Sequence, residues 1–364
     1  MAMEKDLKEI ASHFDTDAPV ISVNPLGEGF INDTFVAATD KGSRYILQRK
    51  NSAIFKDVPA MMDNIKRVTD HLKRKISEAG GDPMREAMTI IPTRDGALYY
   101  KNGDDYWAMS LFIENTRSYT AATDPSLAYQ GGKGIGLFQR LLSDFTEPLA
   151  DILPGFHDMR FRLRQWDEAV KADKAGRVAS LAEEIGWIEA RRDRMMEFWK
   201  MVESGVIPRR VTHNDTKISN ILFDTDGEVL CVIDLDTVLS ATALNDFGDS
   251  IRSYANTGEE DDKNLDRVSM SLEMFRGYTA GYLSQAGDFL CEAERDNLAF
   301  SALFITYEQV LRFLMDYIDG DTYYRIKYPD HNLVRTHAQY KLLRSMEEQY
   351  EAMRRTVGEE LSGR

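Results

Sequence analysis

The stretch His213-Asn214-Asp215-Thr216-Lys217-Ile218-Ser219-Asn220, followed after an apolar run by Ile233-Asp234-Leu235-Asp236-Thr237, decides how this chain is read. A carboxylate at 215, an amide at 220 and a second carboxylate at 234 are the parts that phosphoryl transfer requires. One carboxylate receives or aligns the acceptor hydroxyl, while the amide and the other carboxylate hold Mg²⁺ against nucleotide phosphates. An isolated Asp-Thr pair is ordinarily a turn or a helix cap. In this order and company, Asp215 reads as a functional group.

Working outward, short β-like pieces at 210–212, 221–223 and 229–235 bracket these residues, so the motif lies on loops between strands. Residues 19–113 read mainly as strands: 20–26, 30–38 and 45–48, then a hairpin with its turn at Asn102-Gly103. One helix interrupts them, because Met61, Ile65, Val68, Leu72 and Ile76 recur every three or four residues. From about 126 the pattern becomes helical. Residues 298–318 are apolar enough to suggest a membrane span, but Glu308, Gln309, Arg312 and Asp316 are expensive in lipid and predict a buried core helix. The fold class is therefore α+β, with a small antiparallel-sheet lobe carrying one helix (1–114) and a larger, mainly helical lobe (115–364).

The formal charge of −15 argues against nucleic acid or an anionic membrane as partner. An ATP enzyme this acidic must offset its charge locally with Mg²⁺ and a few cations. Cys231 and Cys291 are too few for a disulfide framework and read as structural thiols of a reducing compartment. The first fourteen residues mix charges with apolar positions and lack a signal-peptide core, so a cytoplasmic location is expected.

Around the motif, Lys217 is a candidate to neutralise the transferred phosphate, and His213 to brace the loop. Asn220 offers a neutral oxygen to Mg²⁺. Asp236 reads either as a second metal contact or as a group orienting Asp234. Gly27-Glu28-Gly29 is a candidate phosphate-covering loop, with Asn32 or Thr34 as added donors. Gln48 stands where a kinase usually has lysine, so either Gln48 donates or Arg49 or Lys50 reaches in after a bulge. Strand alternation points Arg49 away from Gln48. The helix that would supply the lysine's glutamate shows Asp63 and Asn64 instead. A rival reading makes Asp234 a phosphorylated nucleophile and Asp236 a general acid, as in haloacid-dehalogenase-like phosphatases. It leaves Asp215 and Asn220 unexplained.

With these residues in place, the chain resembles the aminoglycoside phosphotransferase and choline kinase superfamily, whose two-lobed fold is similar to that of protein kinases. Within it the chain is most similar to the N-acetylhexosamine 1-kinases, over residues 45–48, 51–55, 211–220, 233–237, 246–252 and 312–336. That resemblance implies ATP- and Mg²⁺-dependent phosphorylation of the anomeric hydroxyl of N-acetylglucosamine or N-acetylgalactosamine. It implies Asp215 beside the sugar as base, Asn220 and Asp234 on the metal, Arg312 and Tyr323 on the sugar, and Gln48 as a shared departure. It also makes Leu111-Phe112-Ile113-Glu114 the hinge whose backbone meets adenine. For Arg312 the plain alternative is an ion pair with Glu308 or Asp316, one turn away. The alternatives for function are a kinase of another sugar, amino alcohol or aminoglycoside, or a non-catalytic kinase-like binding protein. The implied partners are the sugar and ATP; a monomer is compatible with the sequence.

Overall fold

The computed structural model describes residues 2–26 and 32–363, which form two units. The first unit comprises residues 1–117, 144–153 and 222–239; the second comprises 118–143, 154–221 and 240–364.

The first unit is built on strands β1 (Val20–Pro25), β2 (Asp33–Thr39), β3 (Arg44–Lys50), β4 (Ile90–Ile91), β5 (Tyr100–Asn102) and β6 (Asp105–Leu111). All pairings are antiparallel, in the order β1-β2-β3-β6-β4, with β5 added as the hairpin partner of β6. The β3–β6 register runs without a bulge from Tyr45↔Leu111 to Lys50↔Tyr106. Alternation buries Tyr45 and Leu47 on one face of β3, against Val23, Ala37, Trp107 and Met109. A helix beyond the one expected, α1 (Ala2–Ala11), closes this core with Leu7, Ile10 and Ala11.

Helix α2 (Val58–Glu78) starts where the Asp57 side chain accepts from the Ala60 N–H, with Pro59 in the first turn. It buries Met61, Met62, Ile65, Val68, Leu72 and Ile76, the face its periodicity predicts. Its Asn64 is fully buried and holds distant backbone: Nδ2 donates to Ala150 O (2.9 Å) and Val238 O (3.4 Å). The short strands Ile221–Phe223 and Val229–Val232 pair with each other.

The second unit is helical: α3 (Pro125–Leu141), α4 (Met159–Ala172), α5 (Ala182–Glu189), α6 (Arg192–Glu203), α7 (Ala243–Tyr254), α8 (Leu272–Ala286), α9 (Glu292–Asp319), α10 (His331–Glu348) and α11 (Tyr350–Ser362). Helices α3 and α8 meet backbone to backbone. A Cβ at Gly281 would overlap the Tyr129 carbonyl oxygen, and one at Gly132 the Tyr278 carbonyl oxygen. Helix α9 is long and apolar enough to cross a membrane, yet 83% of its most apolar window is buried by the rest of the protein. It is the core helix of this unit, ended by Gly320 in a left-handed conformation (φ 96°).

Candidate active site

In the helical unit, the strand Arg210–Thr212 delivers the chain to His213, and Asn214 (φ 64°) turns it back. Asparagine tolerates this left-handed conformation better than most residues. The turn is held from behind by α7. Asp246, fully buried, accepts from His213 N (3.0 Å), Asn214 N (2.7 Å) and Gln139 Nε2 (2.8 Å). Burial pushes its carboxyl above the ordinary range, against the pull of His213 and those N–H groups. Three residues on, Asp249 accepts from Thr216 N at 3.1 Å and pairs with Arg252 at 3.0 Å. Burial alone would raise Asp249, but the Arg252 guanidinium holds it below the usual carboxylate value.

This bracing presents one cluster. Asp215 Oδ2 accepts from Lys217 Nζ (2.7 Å) and from Asn220 Nδ2 (3.0 Å), and Asn220 Nδ2 also reaches Asp215 O (2.9 Å). The amide nitrogen of Asn220 is thus committed, while its oxygen makes no hydrogen bond among the described residues. His213 is fully buried and spends Nδ1 accepting from the Asp215 N–H (3.2 Å), as a brace would. Asp246 and Asp249 escaped the sequence reading as site residues. Their signal was an i,i+3 acidic pair on one helix face, inside a stretch that carried the resemblance.

In the sheet unit, Asp234 follows the strand Val229–Val232 in a left-handed conformation (φ 62°). Two residues on, Asp236 is 5% exposed and both its oxygens are taken. Lys50 Nζ lies 2.7 Å from Oδ1 and 2.9 Å from Oδ2, and Asn32 Nδ2 lies 2.7 Å from Oδ2. Lys50 also donates to Gln48 Oε1 at 2.7 Å, and Gln48 Nε2 reaches Thr34 Oγ1 at 3.3 Å. Lys50 therefore reaches in from a regular strand, needing no bulge, because it shares a face with Gln48. Arg49, on the other face, is bound to Asp33 and Asp105. The Phe112 N–H donates to Arg44 O (3.1 Å), and Ile113 O accepts from Thr116 Oγ1 (3.0 Å). Gly27 and Gly29 lie outside the described residues.

Arg312 and Tyr323 come together in the helical unit, with the guanidinium carbon 5.8 Å from the Tyr323 ring centre. Tyr323 is 61% exposed. The ion-pair reading of Arg312 fails in its direct form. Asp316 accepts from the N–H groups of Thr322, Tyr323 and Tyr324 (2.9, 2.8 and 3.0 Å), and Glu308 turns to His157 and Arg162.

A small antiparallel sheet with helices, a larger helical unit and an Asp-Lys-Asn loop braced from one helix define a protein-kinase-like phosphotransferase. The chain belongs to the phosphotransferase enzyme family, whose model matches residues 22–280. Solved structures agree on the fold. A microcompartment-associated aminopropanol kinase matches with TM-score 0.66 at 15% identity, over 96% of this chain and 98% of that one. An aminoglycoside phosphotransferase from Alicyclobacillus acidocaldarius gives 0.60 at 13%, over 98% and 96%. A spectinomycin phosphotransferase in complex with ADP and spectinomycin gives 0.59 at 12%, over 96% and 98%.

Proposed function

We propose that this protein is an ATP- and Mg²⁺-dependent kinase that phosphorylates the anomeric hydroxyl of an N-acetylhexosamine, giving the sugar 1-phosphate in the cytoplasm. The observation that carries the phosphotransfer is the Asp215 carboxylate, fixed by Lys217 and Asn220 on a loop whose backbone is tied to Asp246. Asp215 accepts the proton of the sugar hydroxyl, or aligns it, as the oxygen attacks the terminal phosphorus. Lys217 stands next to it as the cation that meets charge building on the transferred group. Asn220, with its unengaged amide oxygen, and Asp234, with its carboxylate, are the residues that would hold a hard cation, which takes oxygen ligands and keeps several waters. Bound Mg²⁺ would neutralise phosphate oxygens.

Residues 1–114 are read as the nucleotide side, with Gln48, Lys50, Asn32, Thr34 and the 112–113 backbone contributing. In this reading Lys50, not Gln48, supplies the phosphate-anchoring cation, and Asp236 is its counter-ion. Residues 115–364 carry the acceptor side, with Arg312 and Tyr323 on the sugar. The N-acetylhexosamine assignment rests on the similarity of residues 312–336 and on a guanidinium set among rings, a combination that suits a hydroxyl-rich ring with apolar faces. Phosphorus NMR of products from N-acetylglucosamine, N-acetylgalactosamine, choline and aminoglycosides tests it. An anomeric phosphate on a hexosamine is the expected product; turnover of choline or an aminoglycoside with no hexosamine would overturn the assignment.

A further inference from the structure

A second group of buried charges lies in the helical unit around α9. His157 precedes α4 with φ 55° and is 5% exposed. Its Nδ1 is 2.8 Å from Glu308 Oε2, and Glu308 is 1% exposed. The other Glu308 oxygen faces Arg162 Nε at 3.4 Å without hydrogen-bond geometry. Arg312, one turn along α9, sits 5.5, 5.8 and 5.6 Å from the rings of Phe156, Tyr323 and Tyr324. His157 Nε2 is buried with no partner at all among the described residues. Buried polar atoms are rarely left so.

The other ring nitrogen is fixed by Glu308. Burial alone would raise the Glu308 carboxyl, but His157, Arg162 and Arg312 outweigh it and bring it down to about 2. An ionised carboxylate only accepts, so Nδ1 carries the proton between the two groups, and Nε2 is left as the ring's other hydrogen-bonding atom. The group adjoins the proposed acceptor residues: the ring of Phe156, next to His157 in the chain, lies 5.5 Å from the Arg312 guanidinium carbon.

We propose that His157, oriented by Glu308, is a specificity-determining residue whose Nε2 hydrogen-bonds a hydroxyl or the amide of the phosphoryl acceptor. Arg312 meets an oxygen of the same molecule. This rests on the kinase reading above, since it assumes an acceptor bound beside Asp215.

The test is a cycle of enzyme and substrate changes. Wild type, His157→Leu and His157→Gln are assayed with N-acetylglucosamine, each monodeoxy analogue and the 2-deoxy sugar that lacks the amide. His157→Leu is expected to lower kcat/KM for the parent acceptor about 10- to 100-fold with the KM for ATP unchanged. His157→Gln, which keeps a hydrogen-bonding group, regains most of that. For one analogue wild type loses the same factor, and His157→Leu loses nothing more. Equal losses on every analogue overturn the proposal. Nitrogen-15 NMR of histidine-labelled wild type gives a reading free of folding effects: the His157 Nε2 signal moves on adding acceptor. No movement, as for a nitrogen that holds only water, overturns it too. If no N-acetylhexosamine is phosphorylated, the sugar assignment fails separately, and the cycle is run with whichever alcohol the enzyme accepts. If none is accepted and no alcohol moves the signal, the proposal fails with it.

Discussion

Lys50 Nζ lies 2.7 Å from Asp236 Oδ1, and the two side chains are only 4% and 6% exposed. The cation comes two residues later than a kinase lysine would. Its counter-charge comes from the loop after Asp234, where protein kinases use a helix. Helix α2 serves that loop differently, through the neutral Asn64 amide on Val238 O.

Removing one partner of a buried pair strands the other charge. Lys50→Met should cost about 3–5 kcal/mol in denaturant unfolding, and Lys50→Met/Asp236→Leu should recover most of it. If Lys50 anchors phosphate, the double variant stays impaired in KM for ATP. Recovery of both stability and ATP affinity would reduce the pair to a structural role.

Asp215→Asn keeps the shape of the loop and removes the acceptor of the hydroxyl proton. The expected result is a kcat lower by about three orders of magnitude, with nucleotide affinity in a binding titration nearly unchanged. Near-normal turnover would take Asp215 out of the chemistry.

Asp246 touches no substrate in this reading; it acts through two backbone N–H groups. Asp246→Asn can satisfy only one of them well. A shift of the loop by an ångström costs roughly 10²-fold, so kcat should fall by about that factor while the KM for ATP holds. Circular dichroism should show an intact fold. A loss of stability with unchanged kcat per folded molecule would contradict the positioning role.

Burial pushes the Cys231 thiol up to about 12. Native protein at pH 8 should therefore leave Cys231 unlabelled by a maleimide, as read by intact mass and peptide mapping, until denaturant is added. The sign for stability follows. The unfolded thiol ionises above its ordinary value of 9.0 while the folded one stays protonated, so stability falls as pH rises through that window. Cys231→Ala should flatten this alkaline loss.

The parts of the fold with short-range signatures were legible in the sequence. Helix α2 announced itself by its apolar spacing, and α9 was separable from a membrane span by the charges at its centre. The Asp215–Asn220 cluster was visible as a spacing. What stayed hidden depends on residues far apart in the chain. Nothing local says that Asp246 would take the backbone of residues 213 and 214, or that Glu308 would prefer His157, 151 positions away, over Arg312 one turn along. The helix rule gave a plausible neighbour for Arg312; tertiary packing chose another. That Lys50 shares a face with Gln48 was decidable by alternation, with no bulge needed. The membership of residues 144–153 and 222–239 in the sheet unit reflects long-range packing, to which periodicity is blind.

The left-handed backbone at Asp234 restricts how that position can change at all. Alanine or glutamate there would pay for conformation as well as for chemistry, so a loss of activity in either would mix two causes. Asparagine keeps both the outline and the tolerance for positive φ, and glycine relieves the backbone outright. Compared side by side, those two substitutions separate the charge of the position from its shape.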